Sequence, residues 1–462
     1  MIGTLLALAA AAVLPLAPPL APDQQPQQRD LTVTTSDGQQ LPATLRLPAH
    51  PLPGRPAMVL VSGAGPNKRD KLAVEAEAFT RAGIATLAYD KRTVGYSLTE
   101  RNYSQLADDA TAAAAVLRAQ PGVDPDRVGY WGLSEGGWVT PLATSRDPRA
   151  AFLVTIGANG GPPLAQQSWA ERIKIEHAGV AGSLVDAYAY TAYRLISGFG
   201  MFPEPYFDPT PILRSLRLPV LGIWGDRDIL TPPVESRAAF QAGLDAAGNT
   251  RYTLRTIAGA DHTVRTSVGG WDRGADLAPG YVDLVASWTS DAAAGYAPVP
   301  SVAGDGRQPR TTIPVAPLRW YESVPVQVGA FLLMVAGFAG FGAIAAVRRL
   351  RGRRGPGAPL SARLLAGAGL VAVVGWWVYI GTLVANGGTR STGVLVWPGL
   401  LIAGRPLPWL ALQLVAVVAV GALVVTALRH RPASGDRTRI GVLLGTGAVF
   451  VAWTVWSGLL LP

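Results

Sequence analysis

Residues 130–138, YWGLSEGGW, place a serine among glycines where an apolar run gives way to small residues. Gly132-Leu133-Ser134-Glu135-Gly136 fits G-x-S-x-G, which carries a nucleophilic serine when a strand enters it and a helix leaves it. A tight turn there lifts the hydroxyl above a sheet. Small residues at 132 and 136 keep the turn clear of neighbouring backbone. The N–H of Glu135, at a helix start, would point toward a developing oxyanion.

A serine hydroxyl attacks only when a base accepts its proton. The chain holds four histidines: His50, His177, His262 and His430. His262, in IAGADHTV after the last expected strand of the sheet, is the candidate base. An acid must orient the imidazole and stabilise its positive charge. WGDRDILTPP (224–233) offers Asp226 and Asp228 after a buried strand. Asp228 is preferred because it lies farther from the strand end; Asp226 is the alternative and Asp261 a weaker third. The order Ser134, Asp228, His262 is one known arrangement of such a triad. LVSGAGPNKRD (60–70) supplies a glycine-bearing turn, and the Ala64 N–H is the candidate second oxyanion donor beside that of Glu135.

These positions require parallel strands that end together. LTVTTSDGQQLPATLRLP (31–48) alternates around Asp-Gly and reads as a β-hairpin. After it, apolar runs at 57–63, 84–90, 127–134, 150–158, 218–225 and 252–260 alternate with helical patterns at 71–83, 104–120 and from 135 onward. Such alternation implies βαβ units and a mainly parallel sheet. Residues 159–215 break the rhythm with a long helical stretch, read as a cap above a pocket. Residues 291–320, rich in Pro, Gly and Ala, read as a linker.

SGAGPNKRD, YDKRTVGYS (89–97), GLSEGGW, WGDRDILTPP and GADH, in this order, resemble the α/β-hydrolase superfamily over about 29–290. The likeness is to bacterial serine hydrolases of the esterase, thioesterase and aminopeptidase type. It implies an α/β-hydrolase fold and a Ser-His-Asp hydrolase using Ser134, Asp228 and His262, with no cofactor and no metal. Such proteins usually carry a histidine where Ser62 stands, so the oxyanion loop is expected to be held differently here. Thr93 stands where glycine is common, in a loop read as structural. The expected substrate is a carboxylic, lipid-like or acyl ester. The alternatives are a peptidase or amidase, with Glu171, Glu176, Asp186 or Glu204 of the cap holding an amino terminus, and a non-catalytic ligand-binding or sensor protein.

The chain has 462 residues, a net charge of +9 and no cysteine, which excludes disulfides, thiolate metal sites and a cysteine nucleophile. The positive excess does not point to nucleic acid. It gathers at Arg348, Arg349, Arg351, Arg353 and Arg354, and at Arg429, Arg431, Arg437 and Arg439, between long apolar runs. Those runs, at about 324–347, 363–384, 408–428 and 440–461, are long enough to cross a hydrocarbon core of about 30 Å. They form the expected membrane domain, 321–462. None has a charge at its centre, where one Arg or Lys costs about 2.5–3.5 kcal/mol. This absence also argues against a proton-coupled transporter. The loop between the second and third runs holds only Arg390 and Arg405, so the basic loops are expected to be cytoplasmic and the hydrolase-like half extracytoplasmic. Residues 1–22 resemble a signal peptide or an N-terminal anchor, in agreement. The apolar piece 394–404 is too short to span and is expected to lie in the interface. Trp376, Trp377, Trp397, Trp409, Trp453 and Trp456 are expected as interfacial anchors or helix-packing residues. Composition and motifs leave the oligomeric state open.

Overall fold

The computed structural model describes residues 26–49, 54–97, 99–352, 358–385, 398–429 and 437–462. The expected leader at 1–22, His50, His430, Trp397 and much of the basic loops lie outside these.

A nine-stranded sheet organises the first half, in the order β1-β2-β4-β3-β5-β6-β7-β8-β9. The strands are β1 (Gln27–Thr34), β2 (Gln40–Leu47), β3 (Ala57–Val61), β4 (Ala85–Tyr89), β5 (Val128–Leu133), β6 (Leu153–Ile156), β7 (Val220–Gly225), β8 (Tyr252–Ile257) and β9 (Ser301–Ala303). β1 and β2 form the expected antiparallel hairpin, and β2 meets β4 antiparallel. From β4 onward every pair is parallel. Each of β3, β4, β6 and β7 is buried along its whole length. That is why these strands read as continuous apolar runs rather than alternating ones.

Helices α1 (Ala73–Arg81), α2 (Tyr103–Arg118) and α3 (Gly136–Arg146) flank the sheet. α2 is alanine-rich and starts at Asn102, whose side chain accepts from the Gln105 N–H at 3.1 Å. Such a cap satisfies a donor that the helix start leaves unpaired. Between β6 and β7 the chain leaves the sheet as α4 (Pro163–His177), α5 (Ser183–Asp186), a π-helical turn (Ala187–Ala192), α6 (Tyr193–Gly198) and α7 (Thr210–Leu213). This is the region read as a cap. α8 (Pro233–Ala246) and α9 (Tyr281–Ala293) complete the layers.

The segment read as a linker is an ordered strap. β9 pairs with β8, Gln308 Oε1 accepts from the Val234 and Glu235 N–H groups, and the Trp169 indole donates to the Arg310 carbonyl at 2.8 Å. Pro-rich composition precludes a long helix or strand, but the strap's backbone is held by side chains of the domain it crosses.

The strap leads into α10 (Val324–Leu350), followed by α11 (Leu360–Ala385), α12 (Leu407–Arg429) and α13 (Arg437–Trp456). These four helices are long and apolar enough to cross a membrane. Trp376, Trp409 and Trp453 are buried between them, so they pack helices rather than face the interface. The described part of 394–404 forms a short hairpin, β10 (Leu401–Ile402) and β11 (Arg405–Pro406), and the Gly404 carbonyl accepts from Ala181 of the cap.

The bundle and the cap share one apolar core: Ile175, Leu184, Tyr188 and Leu195 pack in the same cluster as Trp376 and Trp409. Polar contacts seal the joint. The Ser183 N–H donates to the Pro462 carbonyl at 3.0 Å, and Gln413 donates to the Ser183 hydroxyl at 3.3 Å. Arg194 grips Glu322 with two bonds of 2.8 and 2.7 Å, just before α10 begins. All these contacts lie at the starts of α10 and α12 and after the end of α13, the bundle end opposite Arg348 and Arg429.

Candidate active site

Ser134 stands between β5 and α3 with φ of +56°. For a residue with a side chain this left-handed conformation costs about 1–3 kcal/mol and is kept where surroundings enforce it. Here β6 fixes one side, since the Ser134 N–H donates to the carbonyl of its Ile156 at 2.8 Å. The close approach of α3 fixes the other. A methyl group on Gly132 would strike the Gly136 carbonyl and the Thr140 hydroxyl, and one on Gly136 would lie 2.5 Å from the Val61 carbonyl. Glycine at both positions lets the helix start against β3 and β5.

The candidate acid and base arise from β7 and β8, whose carboxyl ends lie side by side. His262 Nδ1 is 2.8 Å from Asp228 Oδ2. The other Asp228 oxygen accepts from the Leu230 and Thr231 N–H groups, each at 2.8 Å, which fixes the carboxylate. Asp226 instead accepts from the Gly259 N–H at 2.7 Å and ties the two loops together. Asp261 accepts from Thr263 and Arg265 within its own turn. Asp228 is thus the aspartate in contact with the imidazole. Val264, two residues beyond, has φ of +57° although it is β-branched and buried, so the base also sits on a strained loop. Burial disfavours the His262 imidazolium, and the Asp228 carboxylate more than offsets it, so the net pKa lies above the ordinary histidine value.

Ser134 and His262 border one segment. Ser134 bonds the Ile156 carbonyl, and a methyl group on Gly157 would lie 2.6 Å from the His262 carbonyl and 2.8 Å from its Nδ1. Among the described residues Ser134 makes no side-chain hydrogen bond with His262. Nucleophile–base bonds are often long without substrate and tighten when it binds. His177 lies elsewhere, stacked on Trp271 with centroids 3.8 Å apart.

The loop after β3 passes against the serine: a methyl group on Gly63 would lie 3.2 Å from Ser134 Cβ. Asn67 Nδ2 donates to the Gly63 and Ala64 carbonyls at 2.9 and 3.1 Å, and Lys91 Nζ donates to the Ser62 and Gly63 carbonyls at 3.3 and 2.5 Å. A trans peptide is planar, so holding the Gly63 carbonyl back turns the Ala64 N–H the opposite way. Neither that N–H nor the one of Glu135 has an acceptor among the described residues.

Lys91 links the two sides of this opening. Its ammonium also meets Glu135 Oε1 at 2.7 Å, and that oxygen accepts from the Tyr96 hydroxyl at 2.8 Å. Tyr96 in turn accepts from the Gly65 N–H at 2.9 Å, and Arg101 approaches Glu135 Oε2 at 2.6 Å. Burial pulls the Lys91 pKa below its ordinary value, opposed by the Glu135 carboxylate. The work expected of a histidine at position 62 is therefore done by Lys91, Tyr96 and Asn67. Lys91 and Tyr96 lie in YDKRTVGYS, where their types were visible but not their direction. Arg92 of that motif braces the loop: it donates to both Asp109 oxygens, at 2.7 and 2.6 Å, and bridges to Asp37.

Residues 95–276 match the prolyl oligopeptidase family. Among curated proteins, a polyketide transferase of Stachybotrys chlorohalonatus is 34% identical over 137 residues, 29% of this chain and 45% of that protein. A thiohydrolase of Aspergillus aculeatus is 31% identical over 105 residues, 22% of this chain and 33% of its own. The chain thus spans less than half the length of these relatives. A solved esterase of Pyrococcus furiosus aligns over 61% of this chain and 96% of its own, with 17% identity and a TM-score of 0.40. The sheet order and the strained serine turn are those of an α/β-hydrolase fold, and the family match falls within it. The chain's particular feature is the apolar four-helix bundle that packs against its cap.

Proposed function

We propose that this protein is a membrane-anchored, extracytoplasmic hydrolase that cleaves carboxylic or acyl esters through Ser134, His262 and Asp228. The observation that carries this reading is the 2.8 Å contact between His262 Nδ1 and a buried, doubly bonded Asp228, after β7 and β8 of the sheet whose β5, one strand removed, presents the strained Ser134. Ser134 Oγ attacks the carbonyl carbon as its proton passes to His262. Asp228 stabilises the imidazolium. The Ala64 and Glu135 N–H groups receive the oxyanion, each such donor being worth about 2.7–4 kcal/mol in the transition state. His262 then protonates the leaving alcohol, and water, activated by the same imidazole, resolves the acyl-enzyme.

Esters are favoured over peptides with a free amino terminus because three of the four candidate cap carboxylates are already engaged. Glu171 accepts from Gln167, Lys174 and Tyr188. Asp186 pairs with Arg172, and Glu176 with Arg310. Thioesters belong to the same chemistry, and the likeness to a thiohydrolase favours including them. Extracytoplasmic placement is supported by the hydrolase sitting on the bundle end away from Arg348 and Arg429, since basic loops stay cytoplasmic.

The test uses the full chain in detergent or nanodiscs. A fluorophosphonate probe should label wild type and not Ser134→Ala, and chromogenic acyl esters and thioesters should turn over faster than aminoacyl amides. A folded wild type that resists the probe would return the protein to the binding class; faster amide turnover would make it a peptidase.

A further inference from the structure

α6 ends against the start of the bundle. A methyl group on Gly198 would lie 2.5 Å from Leu318 Cδ1 and 3.1 Å from Val324 Cγ2. Just beyond, Phe199 is 44% and Met201 55% exposed; on the neighbouring strap Trp320 is 78% and Tyr321 39% exposed. Large apolar side chains this open to water are ordinary when scattered, but a contiguous group marks a contact surface. The buried Arg194–Glu322 pair holds cap and strap together, so the group is fixed in place.

Its position names the occupant. The patch lies where α10 begins, and α10 itself continues outward-facing apolar surface through Val326, Val328 and Leu332. With 27 residues, α10 is about 40 Å long at 1.5 Å per residue, longer than a hydrocarbon core of about 30 Å, so its ends reach the headgroup zone. Trp and Tyr favour that zone, with an apolar ring and a polar edge. Arg319, exposed beside them and donating to the Tyr321 hydroxyl at 3.0 Å, adds a cation suited to lipid phosphate.

We propose that Phe199, Met201, Trp320 and Tyr321 form a lipid-contact surface on the hydrolase domain, seated in the headgroup–acyl boundary of the bilayer that the bundle spans. The inference rests on the membrane reading and deepens it. The cap that touches lipid is also tied to the acid loop, through Gln166 and the Leu230 carbonyl. The roof of the active site is therefore fixed at the membrane surface, which suits esters drawn from the leaflet.

The chain has no cysteine, so single cysteines can be placed without background. Full-length Met201→Cys, Phe199→Cys, Leu332→Cys and Val268→Cys would each carry an environment-sensitive fluorophore in nanodiscs of phosphatidylcholine and phosphatidylglycerol. Lipids with a quencher near the headgroup should quench positions 201 and 199 severalfold more than position 268, which is exposed on the loop after His262. Quenching at 332 but no more at 201 and 199 than at 268 overturns the surface and leaves the membrane reading standing. No quenching at 332 overturns the membrane reading as well. Disulfide-linked dimers of unlabelled Met201→Cys in nanodiscs holding two copies, with 201 unquenched by lipid, would assign the patch to a second copy.

Discussion

At the scale of single residues, the proposed mechanism turns on one proton on one imidazole. His262, the proposed base, can accept a proton only when neutral. Its folded pKa is raised because the Asp228 carboxylate favours the imidazolium more than burial disfavours it. Activity is therefore expected to increase as pH rises through a midpoint above about 6.5, the ordinary histidine value. Asp228→Asn removes the carboxylate and leaves the burial, so the midpoint moves down. The same change lets the imidazole take the wrong tautomer, and kcat should fall by about 10⁴-fold. A pH profile of kcat/KM for both proteins checks the two effects. An unmoved midpoint would mean that another group sets it.

At the scale of elements, the loops rather than the strands carry the unusual chemistry. The loop after β3 has no regular structure, and its shape comes from Lys91, Tyr96 and Asn67 binding its backbone. Lys91 is a positioning residue: it reaches the candidate oxyanion site only through the Gly63 peptide and the Glu135 side chain. Lys91→Met leaves the Gly63 carbonyl to Asn67 alone and Glu135 to Tyr96 and Arg101. The expected result is a loss in kcat of about 10²-fold, the lower range for losing one oxyanion donor, with KM for a small ester little changed. Single-turnover acylation against aryl esters separates this from a binding defect. An equal loss in folded fraction, read by thermal unfolding, would show the role to be structural only.

At the scale of the whole molecule, the bundle is more than a tether. Ile175, Leu184, Tyr188 and Leu195 of the cap are buried together with bundle side chains. Burying a large apolar side chain contributes about 1.5–3 kcal/mol, and truncation before α10 returns these four to water. The truncated hydrolase is expected to keep its sheet while the cap loosens. Hydrogen exchange should speed up across residues 175–195 and stay slow in β3, β5 and β7. Unchanged protection in the cap would show that the cap stands alone.

The primary structure sufficed for whatever rests on local pattern. Alternating apolar runs named the parallel sheet, because a strand covered on both faces has no polar side to show. Uncharged runs of sufficient length named the four long helices, because a central charge is costly in hydrocarbon. Ser134 was legible from glycines that sterics demand within a few positions of it. What depended on distant segments meeting was decided only in three dimensions. Asp226 and Asp228 are chemically alike and two residues apart, and only the placement of β8 beside β7 brings one of them to His262. A proline-rich strap gives no periodic signal, because its order comes from side chains of the elements it crosses. The cap's union with the bundle left no mark in either segment alone, since an apolar face looks the same whether it meets lipid, a sheet or another helix.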